Sequence, residues 1–147
     1  MSLDLNLNFL PRLPKRKDWR IGCIGAGFIM RDCHLVAYRQ RPDVNAVVHA
    51  HPPLATGFAV AGIPLDRAVL AEVVTTLGSI PIAEYGTPST PELPAAVRRY
   101  IKAHDGLLLA NHGALTVAGD VYAAYYKMET IEHFAKISLV ARQLGRE

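Results

Sequence analysis

The sequence predicts an α/β fold, a small layered sheet of about four or five strands flanked by helices. Three observations carry this expectation. Short apolar runs at Asp43 to Val48, Ser79 to Ala83, Gly106 to Ala110 and Ala114 to Ala118 are each bounded by proline, glycine or polar residues, as strands are. Between and after them lie segments with helical periodicity, the longest from Val121 to Gln143. Of the 147 residues, 50% are hydrophobic and 20% charged, the composition of an ordinary globular domain large enough for one core.

Residues 1–19 form a basic arm marked by Pro11, Pro14 and the run Lys15-Arg16-Lys17, read as solvated rather than bound to nucleic acid. A single α/β domain is expected over residues 20–147. It opens with Arg20 to Met30, a strand running into Gly25-Ala26-Gly27 and a helix, the local pattern that cradles phosphate in dinucleotide-binding units. Met30 stands where that pattern has its third glycine. On these residues, positions 1–40 resemble the amino terminus of NAD(P)-dependent oxidoreductases of the glucose–fructose oxidoreductase and inositol dehydrogenase type. The resemblance implies a short Rossmann-like βα segment. Holding the ribose hydroxyls needs an acid about twenty residues past the glycines. Val47, Val48 and His49 occupy that stretch, so NAD(P) is not expected to bind.

The Val-rich run from Asp43 to Val48 reads as a strand stopped by Pro52 and Pro53. Leu54 to Ala61 is a helix ended by Gly62 and Pro64, and a shorter helix is expected around Ala68 to Leu77. Pro81 places the strand from Ser79 to Ala83 at an edge or at a strand start. After a loop from Tyr85 to Ser89, Thr90-Pro91-Glu92 starts a helix expected to reach a solvent-facing His104. Gly106 to Ala110 is a buried strand, and Ala114 to Ala118 another, closed by Gly119. Asp120 caps the last helix, whose apolar stripe is Ala124, Tyr125, Met128, Ile131, Ala135 and Leu139. His133 falls off that stripe, and Tyr122, Tyr125 and Tyr126 are read as core or subunit contact.

His49 and His51, two apart at a strand end, project to one face. Two readings are open for them: histidines hydrogen-bonded at a strand end, or half of a metal site that needs a third ligand. Asn111-His112-Gly113 ends the second buried strand, where a third ligand would sit. Together, Arg41 to His51 and Ala110-Asn111-His112-Gly113 resemble the class II aldolase/adducin-type family. That family includes fuculose-phosphate and rhamnulose-phosphate aldolases, ribulose-phosphate 4-epimerases and related dehydratases. The resemblance runs from about His34 to Gly145. Since Cys33 to Gln40 could belong to either resemblance, the chain reads as a chimera.

This second resemblance implies a class II aldolase-like three-layer core, truncated, with His49, His51 and His112 holding one divalent metal, zinc first among the choices. It also implies retro-aldol chemistry on a phosphorylated sugar or keto-alcohol, with the metal stabilising an enediolate. Family aldolases carry a proton-transferring glutamate four residues before the histidine matched by His34. Met30 occupies that position here, and the phosphate-binding loops that precede it in the family have no counterpart, which implies impaired catalysis. Glu72 is the substitute acid, since some dehydratase-type members use a glutamate after the His-x-His; Glu84 is a weaker candidate. A homo-oligomer is implied as well. The alternatives are an NAD(P)-dependent oxidoreductase fragment and a non-catalytic, adducin-like scaffold.

The formal charge of +3 suits an anionic sugar phosphate and does not argue for nucleic acid. No apolar run approaches membrane-span length, and no secretory pattern opens the chain. Cys23 and Cys33, the only cysteines, fit a reducing cytoplasm.

Overall fold

A computed structural model of the protein describes residues 40–87 and 90–145. Strands β1 (Ala46–Ala50), β2 (Ile82–Ala83), β3 (Gly106–Leu109) and β4 (Gly113–Ala118) are interspersed with helices α1 (Pro53–Ala61), α2 (Ala71–Thr76), α3 (Glu92–Tyr100) and α4 (Val121–Gln143). Among the described residues the strands make one sheet in the order β1-β4-β3-β2. The β1–β4 and β3–β4 pairs are antiparallel, and β2–β3 is parallel. The arm expected over residues 1–19 and the glycine-rich segment up to Met30 lie outside the described residues.

The period of two along β3 builds the layers. Leu107 and Leu109 pack with Leu115 and Val117 against Leu93, Ala96, Val97 and Ile101 of the α3 segment. Leu108 points the other way, with Ala114, into Ala55, Phe58 and Ala59 of α1 and Met128, Ile131, Phe134 and Ala135 of α4. Every residue of β3 and β4 is buried, which is why both runs are apolar throughout instead of alternating with polar residues. Thr116 is the exception in composition. Its hydroxyl donates to the Ala124 carbonyl at 2.7 Å, so the buried oxygen is satisfied and the first turn of α4 is pinned to β4.

Several expected boundaries shift. β1 begins at Ala46, because Val44 N–H bonds back to the Arg41 carbonyl in a turn, and it extends through His49 to Ala50. The strand expected from Ser79 contracts to Ile82–Ala83; Pro81 has no N–H to give, and Ile80 pairs only in an isolated bridge with Leu65. α2 spans Ala71–Thr76, since a turn at Arg67–Val69 delays its start and Gly78, at φ 68°, ends it. α3 stops at Tyr100, whose carbonyl accepts from both Ala103 and His104. His104 is half-buried rather than solvent-facing, with Nδ1 3.1 Å from the Ser79 carbonyl.

α4 runs as expected from Val121 to Gln143, and the Asp120 side chain accepts from Ala123 N–H at 2.9 Å. Its buried face differs from the expected stripe. Tyr125 is 48% exposed and Leu139 37%, while Phe134, absent from that stripe, is buried. Tyr125 and Tyr126 are on the surface of this chain, so neither is core. His133 is exposed, as expected. Among the described residues no helix is long and apolar enough to cross a membrane.

The start of the sheet is held by charge. Asp105, just ahead of β3, accepts from Arg41 ahead of β1 and from Lys127 of α4, and Lys127 also donates to the Val117 carbonyl at 3.2 Å. Burial opposes ionisation of Asp105, but hydrogen bonds from Lys127 and Arg41 outweigh it and hold the carboxyl below its usual pKa. A depressed folded pKa contributes stability that is complete above the unfolded value, about 3.9, and is lost as pH falls through the folded one. Asp105→Asn is therefore expected to cost about 1–2 kcal/mol at neutral pH and to lose this disadvantage under strong acid. Thermal unfolding from pH 7 to pH 3 checks this; parallel curves for the two proteins would contradict it.

Candidate metal centre

The site forms where β1 ends beside the β3–β4 turn. Ala50 pairs with Ala114, and Leu109 pairs with Gly113, so the next residue along β1, His51, comes to lie against Gly113. Residues 110–112 make the turn. Asn111 adopts φ 56°, the left-handed region that asparagine tolerates better than most residues. Its N–H reaches the Ala59 carbonyl of α1 at 3.4 Å, and His112 N–H closes on Leu109 at 3.0 Å. These bonds aim His112 back over the end of β1.

The three histidines expected from the sequence meet. Ring centroids are 5.0 Å apart for His49–His51, 4.8 Å for His49–His112 and 5.0 Å for His51–His112. One ring nitrogen of each can be chosen so that all lie within 4.8 Å of one another. Tetrahedral zinc, with Zn–N bonds of about 2.0–2.1 Å, holds ligand nitrogens about 3.3 Å apart, so modest ring rotation closes the set.

The surroundings set the tautomer and charge of the rings. His49 Nδ1 lies 2.9 Å from the Ala114 carbonyl, which can only accept, so this nitrogen carries the proton and Nε2 presents its lone pair. Burial, and then the neighbouring His51, lower the pKa of His112 below the ordinary histidine value and favour the neutral ring a metal requires. His51 is exposed, whereas His49 and His112 are half-buried, which leaves the cluster open on one side. Three imidazoles with an open side match the donor set of a catalytic rather than a closed structural site.

Gly113 is a contributor that the sequence did not single out beyond its freedom of backbone. A Cβ there would lie 2.5 Å from His51 Cδ2 and 2.6 Å from the Ala50 carbonyl oxygen. The absent side chain makes room for the second histidine.

The acidic candidates are not part of this cluster. Glu72 is exposed in the first turn of α2, and its backbone carbonyl accepts from the Thr75 and Thr76 hydroxyls. Glu84 is bound to Arg99 and to the Tyr100 hydroxyl, each at 3.1 Å. Its carboxyl is held below the usual range by a backbone hydrogen bond and by these two partners. Met30 lies outside the described residues.

Residues 30–139 match the family model described as the class II aldolase and adducin N-terminal domain. The chain is similar to the 5-deoxy-D-ribulose 1-phosphate aldolase of Bacillus thuringiensis serovar kurstaki, at 34% identity over 78% of this chain and 53% of that protein. It is also similar to the L-fuculose phosphate aldolase of Methanococcus vannielii, at 35% identity over 77% of this chain and 61% of the relative. Among solved structures, an L-fuculose 1-phosphate aldolase superposes with a TM-score of 0.71 at 33% identity, covering 77% of this chain and 53% of the other. The L-fuculose-1-phosphate aldolase from Thermus thermophilus gives 0.70 at 29% identity, covering 78% and 62%. The chain thus spans roughly half to three-fifths of the length of these relatives. Neither the family match nor these relatives support the oxidoreductase resemblance expected over residues 1–40, and the Rossmann-like segment falls outside the described residues.

Gly113→Ala is expected to cost about 1–3 kcal/mol through overpacking and to drive the His51 ring out of the cluster. Thermal unfolding together with proton–proton contacts between the His51 and His112 rings checks this. An alanine variant with unchanged stability and unchanged ring contacts would show that the space is not needed.

Proposed function

Because this chain belongs to the class II aldolase and adducin family, we propose that it is a metal-dependent aldolase-type protein acting on a phosphorylated keto-sugar, with His49, His51 and His112 holding one zinc ion. The observation that carries the proposal is the convergence of the three imidazoles at one strand end. The relatives named above are themselves sugar-phosphate aldolases, which supports the substrate class. When bound, such an ion supplies Lewis-acid stabilisation of negative charge developing on substrate oxygens.

The chain's own residues would do the rest. His49, fixed through Nδ1–H to the Ala114 carbonyl, presents Nε2 in a constant direction. The open side beside His51 would admit two adjacent substrate oxygens. Proton transfer needs a carboxylate, and Glu72 is the proposed donor and acceptor, although it stands outside the histidine cluster. With Met30 in place of the family's glutamate and Glu72 outside the cluster, turnover is expected to be slow, because loss of a well-positioned general base typically costs ~10²–10⁴-fold.

Metal analysis of the purified full chain is expected to find about one equivalent of zinc, and the metal should be lost in His49→Ala. Equal metal in both proteins would overturn the site assignment. In a retro-aldol assay on a ketose 1-phosphate, Met30→Glu should accelerate cleavage and Glu72→Gln should slow it further. Rapid cleavage by the unaltered chain, insensitive to Glu72→Gln, would mean that the base lies elsewhere.

Self-association belongs to the same proposal. Val60, Val69, Tyr125, Tyr126 and Leu144 are large apolar or aromatic residues left exposed on the surface of the single chain. Sedimentation at micromolar concentration should show a homo-oligomer; a monodisperse monomer would contradict this.

A further inference from the structure

Helix α1 begins without a cap of its own. Pro52, at φ −64° and ψ 134°, occupies the N-cap position and offers no side-chain acceptor. Pro53 follows, and neither proline has an N–H, so Leu54 and Ala55 bring the first donors of the helix. Glu132, a distant residue on α4, meets both. Its two carboxylate oxygens each accept from Leu54 N–H at 3.1 Å, and Oε2 also accepts from Ala55 N–H at 2.9 Å. A carboxylate at a helix N-terminus is favoured by the helix dipole as well as by these bonds.

This cap sits three residues beyond His51. On the other side of His51, Ala50 is paired with Ala114 of β4. The intervening Pro52 has a fixed φ, and its carbonyl accepts from Thr56 N–H at 2.8 Å. His51 therefore spans a short bridge between two anchored points, one on the sheet and one on α4. His51 is also the most exposed of the three histidines. His49 has its bond to Ala114, and His112 is in a hairpin turn braced by Asn111.

We infer that Glu132 is a positioning residue for the metal site: a cap supplied across the fold that sets the backbone of His51 so that its ring meets His49 and His112. The inference rests on the metal-binding reading of the triad. It assigns Glu132 no contact with metal or substrate, since its oxygens are engaged with α1.

The test compares zinc affinity, by competition with a chromophoric chelator, in the full-length wild type, Glu132→Ala, Glu132→Gln and Asp120→Ala. Asp120→Ala removes the cap of α4 and serves as a control for stability alone. Loss of an outer contact that orients a ligand typically weakens metal binding 10–100-fold, and about tenfold is expected for Glu132→Ala. Glu132→Gln, which keeps one carbonyl acceptor, should fall between that and the wild type and remains informative if the alanine variant does not fold. Asp120→Ala should lower the melting temperature while leaving zinc affinity unchanged. Wild-type affinity in both Glu132 variants, or an equal loss in Asp120→Ala, would overturn the positioning role. A wild-type chain that binds no zinc would overturn the triad reading and the metal-positioning role with it. Amide exchange at Leu54 and Ala55 separates the two failures: protection lost in Glu132→Ala would show that the cap exists although no metal is bound.

Discussion

The register of β1 against β4 is the constraint on which the site depends. With Ala50 opposite Ala114 and His49 opposite Leu115, His51 comes to rest beside Gly113 and His112 turns back over the same edge. A slip of one residue would send His49 and His51 to the opposite face of the sheet and replace the gap at Gly113 with a side chain. Burial enforces the register. Val47 belongs to the core on the α3 side, while Val48 packs toward α1 and α4, and a slip would exchange those environments.

The molecule divides its polar groups between the two ends of that sheet. At the start of β3, Asp105 joins Arg41 and Lys127 and ties the approach to β1 to α4. At the far end lie the histidines, with Glu132 joining the same long helix to the first turn of α1. α4 is thus fastened near both ends of the sheet, and Thr116, the one polar residue classed as buried among the described residues, is satisfied by the Ala124 carbonyl. Partial burial strengthens such charge-assisted bonds relative to the same groups in water, provided each is paired.

The convergence of the three histidines was legible in the sequence because its signal is local. A His-x-His at a strand end and a histidine before glycine after an apolar run each follow from strand periodicity, and the family resemblance joined them. α4 was equally legible, with Asp120 at its start and a long apolar repeat. What failed was tertiary in origin. The turn at Arg41–Val44 depends on partners far along the chain, so the onset of β1 could not be read from β-propensity. Phe134, rather than Tyr125 or Leu139, fills the core because the face of a long helix is chosen by what it packs on. His104 and Glu132 are ordinary surface residues by sequence, and only the fold brings Ser79 to one and the bare amides of α1 to the other. Gly113 looked like a turn residue; its steric role beside His51 arises only once β1 and β4 are paired.

The central claim is that three imidazoles from two separate segments converge as one metal site. Titration of metal-free protein with cobalt(II), followed by visible absorption, tests it most directly, because four-coordinate cobalt absorbs far more strongly than the hexa-aquo ion. Strong bands saturating at one equivalent in the wild type, and absent in His112→Ala, are the predicted result. A weak spectrum like that of cobalt in water, or strong bands that survive loss of His112, would contradict it.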